Sequence, residues 1–140
     1  LRPLGLRLRD GKFVFERQYR HAVGLVSYEL CAGVCEPDDA SPLESARREL
    51  LEETGYGNGE WEELMILSPN PGTHTNLTYC YLARNVERIE SQHLEPTEDI
   101  AVELLSLEEV RALLDCNGVL QALHAAPLWK YISMLSEGKI

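Results

Sequence analysis

The alternation of apolar and polar residues along the chain predicts a series of short strands. Residues 4–9 and 12–17 alternate on either side of Asp10-Gly11, a dipeptide typical of a two-residue hairpin turn. Further strand-like runs cover residues 25–31, 62–67, 76–83 and 100–105. Turn-forming residues, such as those from Pro69 to Gly72, separate these runs, so we expect a sheet of several strands.

Three segments carry the signals of helices. Ser41 and Glu44 form a capping-box pattern around Pro42, and we expect that helix to run to Thr54 and to stop at Gly55. The same pattern at 106–109 begins a second helix that ends near residue 117, and a third helix covers about 120–135. Because strands and helices interleave without a strict βαβ rhythm, we predict an α+β fold. It would be a mixed β-sheet flanked by helices, in one domain of residues 1–140.

Charge and cysteine content narrow the classes of function. The formal net charge of -10 disfavours nucleic acid and anionic membrane surfaces as partners. No apolar run approaches the ~18 residues of a membrane span, and the N-terminus lacks a signal-peptide pattern. The chain begins without Met, which leaves open a leading segment of unknown length. The four cysteines show no zinc-ligand spacing, so we expect reduced thiols and a cytoplasmic location.

The first predicted helix carries an unfavourable arrangement of charge. Glu49, Glu52 and Glu53 stand at i, i+3 and i+4, so their carboxylates crowd one helix face. They also lie in the last two turns, where the helix dipole favours cations. One interpretation is a solvated acidic face. The other is a site for Mg²⁺ or Mn²⁺, since these ions prefer carboxylate oxygens and would remove the repulsion.

This segment resembles the Nudix box, G-x5-E-x7-R-E-U-x-E-E-x-G-U, in which U is apolar. Residues 48–56, with the sequence RELLEETGY, fill every fixed position of its second half. The first half departs from the pattern: Gly33 lies one residue too far upstream, and Asp39 or Ala40 stands where the first Glu is expected. The resemblance implies the Nudix fold, an α/β/α sandwich, and a metal-dependent hydrolase.

Two further motifs resemble the ADP-ribose pyrophosphatase branch of the Nudix family. Residues 17–20 read RQYR and residues 29–33 read ELCAG, with Cys31 where that branch has proline. The implied reaction is hydrolysis of a nucleoside diphosphate sugar, with ADP-ribose giving AMP and ribose 5-phosphate. The alternatives are a GDP-mannose or UDP-sugar pyrophosphatase, or a non-catalytic nucleotide-binding sensor. The branch also implies a homodimer formed through an N-terminal β region, of which residues 1–17 would be the remnant.

The resemblance also implies roles for individual residues. The metal ligands would be Glu49, Glu53 and the backbone carbonyl of Ala32. Glu52 would act as a further ligand or as the acid that activates water, or it would only brace the helix by pairing with Arg48.

Other residues would contact the substrate or complete the site from a loop. Arg20 matches a substrate-binding arginine, and Arg17 is the second candidate. Because the two differ by three positions, they face opposite sides of a regular strand, and we expect only one of them to reach the substrate. Glu29 would bind a sugar or base, or support the metal ligands. Glu98 would supply a general base or a further metal ligand from an acidic loop, with Glu95 as its competitor.

Overall fold

The computed structural model describes the backbone of residues 2–139 and the side chains of residues 10–139. Its strands are β1 (Arg2–Arg9), β2 (Lys12–Arg20), β3 (Leu25–Glu29), β4 (Cys31–Ala32), β5 (Tyr56–Gly57), β6 (Glu60–Leu67), β7 (Thr78–Arg84), β8 (Glu87–Arg88) and β9 (Ala101–Ser106). Its helices are α1 (Pro42–Thr54), α2 (Leu107–Asp115) and α3 (Ala122–Ser136). Among these helices, none combines the length and the apolar character that a membrane span requires.

The hairpin predicted around Asp10 is confirmed. Asp10 and Gly11 both have positive φ, 49° and 75°, and Arg9 pairs with Lys12. Two positive φ values in a two-residue loop are typical of the type I′ turn, whose twist matches that of paired strands. The turn therefore fixes the register between β1 and β2.

The main sheet is mixed, as predicted. Its strands run in the order β3-β2-β1-β7-β6, with β4 also paired to β1 and β9 to β2. β1 and β7 are parallel, and the other pairs are antiparallel. Residues 2–9 and 12–17 lie inside this sheet. They do so because β1 pairs with β7 over seven residues, from Arg2–Thr78 to Leu8–Arg84.

Alternating residues of β2 build a core on each face of the sheet. Phe13 and Phe15 pack with Val110 of α2 and Leu128 of α3. Between them, Val14 points the other way into a second cluster that includes Leu50 of α1. Helices on both faces of a mixed sheet confirm the predicted α/β/α sandwich.

The ends of α1 follow the local sequence signals. The backbone N–H of Glu44 donates to Ser41 Oγ at 3.2 Å, and Gly55, with φ of 77°, donates to the carbonyl of Leu51 at 2.8 Å. The expected capping box is only half formed here, because the Glu44 carboxylate pairs with Arg47 instead. At Ser106 and Glu109, both bonds of the box are present.

The strand expected at residues 25–31 is interrupted at Leu30, between β3 and β4. The backbone N–H of Leu30 donates to Nδ1 of His124 at 2.8 Å instead of joining the sheet ladder. His124 comes from the first turn of α3, so a distant helix sets the position of this break.

Candidate active site

A cavity of about 340 Å³ opens beside the second half of β2, between α1, the loop before β9 and the start of α3. Carboxylates and polar groups from these elements line it: Glu16, Gln18, Arg20, Glu29, Glu53 and Glu98, together with the backbone at Ala32 and Gly33. Most of the site residues that the Nudix resemblance implies therefore line this one cavity.

β2 delivers its even-numbered residues to this cavity. Val14 lies in the core against α1, and the next residues with the same orientation, Glu16, Gln18 and Arg20, line the cavity. Arg17 has the opposite orientation and pairs with Glu103 of β9 at 3.3 Å. Of the two candidate arginines, the structure thus brings Arg20 to the cavity and does not bring Arg17 there.

Glu29 is buried and holds Arg20. Its carboxylate accepts hydrogen bonds from Arg20 Nε at 2.7 Å, from Arg20 Nη2 and from Gln18 Nε2 at 3.1 Å. Burial acts to raise the pKa of Glu29, but the hydrogen bonds from Arg20 outweigh it and lower that pKa below its ordinary value. The fork of Arg20 is thereby fixed in position at the cavity rim, where half of its side chain stays exposed.

The three helix glutamates differ in their surroundings. Glu53 is buried, Glu49 is largely buried, and the side chain of Glu52 is 44% exposed. Burial, and then repulsion from Glu53, raise the pKa of Glu49 to about 7. Burial also raises the pKa of Glu53. Two acids held against their preference for ionised, hydrated surroundings are typical of a site that receives a cation.

Gly33 makes room for Glu49. A Cβ at Gly33 would lie 2.1 Å from Cδ of Glu49, a distance that no pair of unbonded carbons tolerates. The Glu49 carboxylate therefore packs directly against the backbone of Gly33, the residue that follows Ala32.

Arg48 joins the loop before α1 to the helix. Its guanidinium donates to Asp39 through Nε at 3.1 Å and Nη2 at 3.0 Å, and through Nη1 to Glu49 and Glu52 at 3.1 and 3.2 Å. Asp39 also accepts from Ser45 Oγ at 2.6 Å. The Arg48 hydrogen bonds hold the pKa of Asp39 well below its usual range. Asp39, not Ala40, thus takes the place of the first acid of the box.

Glu98 lies in the loop before β9, in a turn with Glu95. The N–H of Glu95 donates to Glu98 Oε1 at 2.8 Å, and the N–H of Glu98 donates to the Glu95 carbonyl at 2.9 Å. Glu98 lines the cavity, and its charge adds to burial in raising the pKa of Glu53. Glu49, Glu52 and Glu95 line a neighbouring hollow of about 220 Å³ instead. Glu98 and Glu53 border both spaces.

The same loop is tied to α1 by Gln92. Its Nε2 donates to the carbonyl of Glu53 at 2.7 Å and to that of Ile100 at 3.1 Å. His93 N–H also donates to the carbonyl of Glu52 at 2.7 Å. These bonds satisfy carbonyls at the C-terminal end of α1 and anchor the loop that carries Glu98.

Sequence reasoning missed several residues of this site, among them Glu16, Cys31 and His124. Glu16 is 2% exposed, and burial raises its pKa well above the ordinary value. Cys31 donates from Sγ to Glu53 Oε2 at 3.1 Å. Burial lowers the pKa of His124 to about 4, so the ring is neutral at pH 7. The alternation of β2 could have indicated Glu16, because an acid follows Val14 on the inward face; the other two depend on contacts between distant segments.

The chain is similar in sequence to an ADP-ribose pyrophosphatase and to a GDP-mannose pyrophosphatase. It is 36% identical over 89 residues to an ADP-ribose pyrophosphatase of Mycobacterium tuberculosis, covering 61% of this chain and 43% of that protein. It is 35% identical over 89 residues to a GDP-mannose pyrophosphatase of Pectobacterium atrosepticum, covering 64% and 45%. An ADP-ribose pyrophosphatase of Bacillus subtilis is 27% identical over 114 residues, covering 81% and 61%. The chain spans about half the length of these curated relatives.

A solved structure described as an ADP compounds hydrolase has the same fold. The TM-score is 0.85 at 21% identity, with 99% of this chain and 75% of that chain covered. The family model of the NUDIX domain matches residues 4–124 of this chain. These residues include β2, helix α1 and the loop that carries Glu98. With that match over most of its length, the chain belongs to the NUDIX domain family.

Proposed function

We propose that this chain hydrolyses the diphosphate of a nucleoside diphosphate sugar, with ADP-ribose as the leading substrate. The observation that carries the proposal is the composition of the cavity walls. The buried carboxylate of Glu53, the partly buried carboxylate of Glu98 and the guanidinium of Arg20 line the same cavity. A diphosphate fits between a cation site and an arginine fork, since both bind phosphoryl oxygens.

The donor atoms at α1 fit a hard divalent cation. Glu49, Glu53 and Glu98 offer carboxylate oxygens, and Ala32 offers a backbone carbonyl, which is the ligand chemistry that Mg²⁺ or Mn²⁺ takes. The raised pKa values of Glu49 and Glu53 support this assignment, because burial and then repulsion from neighbouring acids raise them, and a cation would stabilise the ionised carboxylates. We propose Mg²⁺ as the ion. When bound, it supplies neutralisation of phosphoryl charge and a lower pKa for water.

The chain's own residues would divide the remaining work. Arg20, whose guanidinium is held by Glu29, would bind the diphosphate and orient it for attack by water. Glu98, which lies on the loop before β9, would accept the proton of the attacking water. Glu52 pairs with Arg48 at 3.2 Å and its side chain is 44% exposed, which supports its bracing role over that of the base.

Glu29 would act mainly through Arg20. Its carboxylate is buried under the two hydrogen bonds of the guanidinium, so its best-supported role is to orient that group. This support differs from the expectation of direct sugar or base binding. Arg17, paired with Glu103 away from the cavity, has no such support as a substrate ligand.

GDP-mannose or a UDP-sugar is the second candidate for the substrate. GDP-mannose pyrophosphatases are among the relatives, at identities close to that of the first ADP-ribose pyrophosphatase. A sensor that only binds nucleotide is less well supported, because a binder gains nothing from burying two mutually repelling acids at Glu49 and Glu53.

The deciding experiment is hydrolysis of a matched panel of ADP-ribose, GDP-mannose and UDP-glucose with Mg²⁺. We expect ADP-ribose to give AMP and ribose 5-phosphate with the highest kcat/KM, and no release when EDTA removes the metal. Glu53→Gln is the matched negative control, because it keeps the shape of the side chain and removes its charge. Faster release of GMP from GDP-mannose than of AMP from ADP-ribose would make GDP-mannose the leading substrate. Nucleotide binding without hydrolysis would support the sensor.

We also propose that the chain forms a homodimer in the cytoplasm. Apolar side chains that are more than half exposed cluster on the β2–β3 hairpin: Tyr19, Val23, Leu25 and Val26. Such a surface is typical of a protein–protein contact. Light scattering should give twice the chain mass, and Val26→Asp should return it to the monomer. All four thiols are free, which supports a reducing compartment.

A further inference from the structure

Two buried residues that the proposed reaction does not use, Glu16 and Cys31, lie beside the helix residue Glu53. Ligand atoms of Glu16 on β2, Cys31 on β4 and Glu53 on α1 all lie within 4.8 Å of one another, and all three residues are buried. We name Glu16, Cys31 and Glu53 the inner trio. We propose that the inner trio is a binding site for a thiophilic divalent cation such as Zn²⁺, distinct from the magnesium ligands Glu49 and Ala32.

Glu16 is the observation that points to a ligand. Its side chain is 2% exposed, and its Oε1 has no hydrogen-bond partner among the side chains and backbone that the structure describes. A buried carboxylate oxygen without a partner costs free energy, and a cation at this point would satisfy it. Two arginines near the site are already engaged by other acids: Arg20 donates to Glu29, and Arg48 donates to Asp39.

The spacing of the ligand atoms suits a tetrahedral ion. With Zn–O and Zn–S bonds of ordinary length, ligand atoms around a tetrahedral zinc are about 3.4–3.6 Å apart. Cys31 Sγ and Glu53 Oε2 are 3.1 Å apart, and the remaining pairs lie within 4.8 Å, so small side-chain shifts suffice. Glu16 and Glu53 also line the cavity, which gives a cation its entry path and leaves the fourth position open.

Cys31 determines which ion the inner trio would prefer. Sulfur is a soft ligand that favours Zn²⁺, and also Co²⁺ and Cd²⁺, over Mg²⁺, which takes oxygen ligands. On binding, the Cys31 thiol would give its proton to solvent and ligate as the thiolate. Because Glu53 belongs to both sets, the two ions would share one carboxylate.

The test uses Co²⁺ as a spectroscopic probe for Zn²⁺ on the metal-free chain under reducing conditions. We expect a thiolate-to-Co²⁺ charge-transfer band that saturates at one equivalent and disappears when Zn²⁺ is added. Cys31→Ser should abolish the band, and Glu16→Gln should weaken Co²⁺ binding by about tenfold or more. The matched control is Cys35→Ser, which removes a thiol four residues away and should leave the band unchanged.

Three results would overturn the proposal. They are no charge-transfer band in the wild-type chain at saturating Co²⁺, a band that survives in Cys31→Ser, and unchanged affinity in Glu16→Gln. Circular dichroism establishes that each variant is folded, and Glu16→Gln, which keeps the side-chain volume, decides the matter if Cys31→Ser does not fold. The readout requires no turnover, so it stands whether or not the chain hydrolyses ADP-ribose.

Discussion

Gly33 controls how closely α1 approaches the backbone after β4. The position that a Cβ would take is filled by the Glu49 side chain, 2.1 Å from its Cδ. Since no φ in the left-handed region is involved, the requirement at Gly33 is space and not backbone conformation. The glycine that begins the Nudix box is explained here by a single contact.

We expect Gly33→Ala to weaken the metal site without unfolding the chain. The added methyl group would push the flexible Glu49 carboxylate away from Ala32, so the Mg²⁺ concentration for half-maximal turnover should rise about tenfold or more. The measurement is turnover against Mg²⁺ concentration, with thermal unfolding as the check of fold. Gly72→Ala is the control, because a Cβ there meets nothing closer than Asn70 Oδ1 at 3.5 Å. A normal Mg²⁺ dependence in Gly33→Ala would contradict the assignment of Glu49.

His124 makes stability depend on pH. Its Nδ1 accepts from Leu30 N–H, and burial, opposed by the charge of Glu29 and helped by that of Arg20, lowers its pKa from 6.5 to about 4. Between pH 6.5 and about pH 4, His124 is therefore protonated in the unfolded chain and neutral in the folded chain. Stability from His124 is complete above pH 6.5 and is lost as the pH falls towards about 4, up to about 3 kcal/mol.

The matched variant is His124→Asn, whose Oδ1 can accept the same hydrogen bond but does not titrate. We expect the wild-type chain to lose unfolding free energy relative to His124→Asn between pH 6.5 and pH 4, as measured by urea denaturation at each pH. His93→Asn, at an exposed histidine, should follow the wild type. Parallel curves for wild type and His124→Asn would show that His124 does not titrate in this range.

At the scale of elements, the sequence predicts the ends of a helix or a turn correctly where neighbouring residues determine them. α1 begins and ends where Ser41, Pro42 and Gly55 predict, because each cap is made by neighbouring residues. The break at Leu30 could not be predicted in this way, since its cause is His124, far along the chain. The hairpin between β1 and β2 is likewise determined by neighbouring residues, whereas the parallel pairing of β1 with β7 depends on residues distant in the sequence.

The alternation of β2 gives Arg20 and Arg17 different tasks. We expect Arg20→Ala to cost about 1.5–3 kcal/mol of substrate binding, seen as a raised KM, because a charged bidentate contact is lost. Arg17→Ala removes an exposed ion pair with Glu103, worth less than about 1 kcal/mol of stability, and should leave KM unchanged.

Steady-state kinetics of both variants on one substrate make the comparison. Arg20→Lys is the control for buried charge, because it keeps a cation beside Glu29 but loses the fork. It should fold normally and still show a raised KM. If Arg17→Ala alone raises KM, the face of β2 that meets the substrate has been assigned wrongly.

At the scale of the whole molecule, the site is a meeting of segments that are distant in sequence. The sequence could predict Glu49, Glu53 and Arg20 because motifs mark them. It could not predict that Glu16 lies against Glu53, since that contact depends on how β2 and α1 cross on one face of the sheet. Gln92, whose amide joins α1 to the loop before β9, has no motif at all.

The position of that loop leads to the last prediction, that Glu98 and not Glu95 completes the site. Gln92 fixes one end of the loop to the carbonyl of Glu53, while Glu98 faces the cavity from the other end. A loop group can withdraw to admit substrate and close afterwards. Glu98→Gln should therefore lower kcat by about 100-fold or more with a smaller change in KM. Glu95→Gln, the matched control, alters an exposed acid of the same turn that does not line the cavity, so it should change kcat little. A dead Glu95→Gln beside an active Glu98→Gln would reverse the assignment, and two active variants would leave Glu52 as the base.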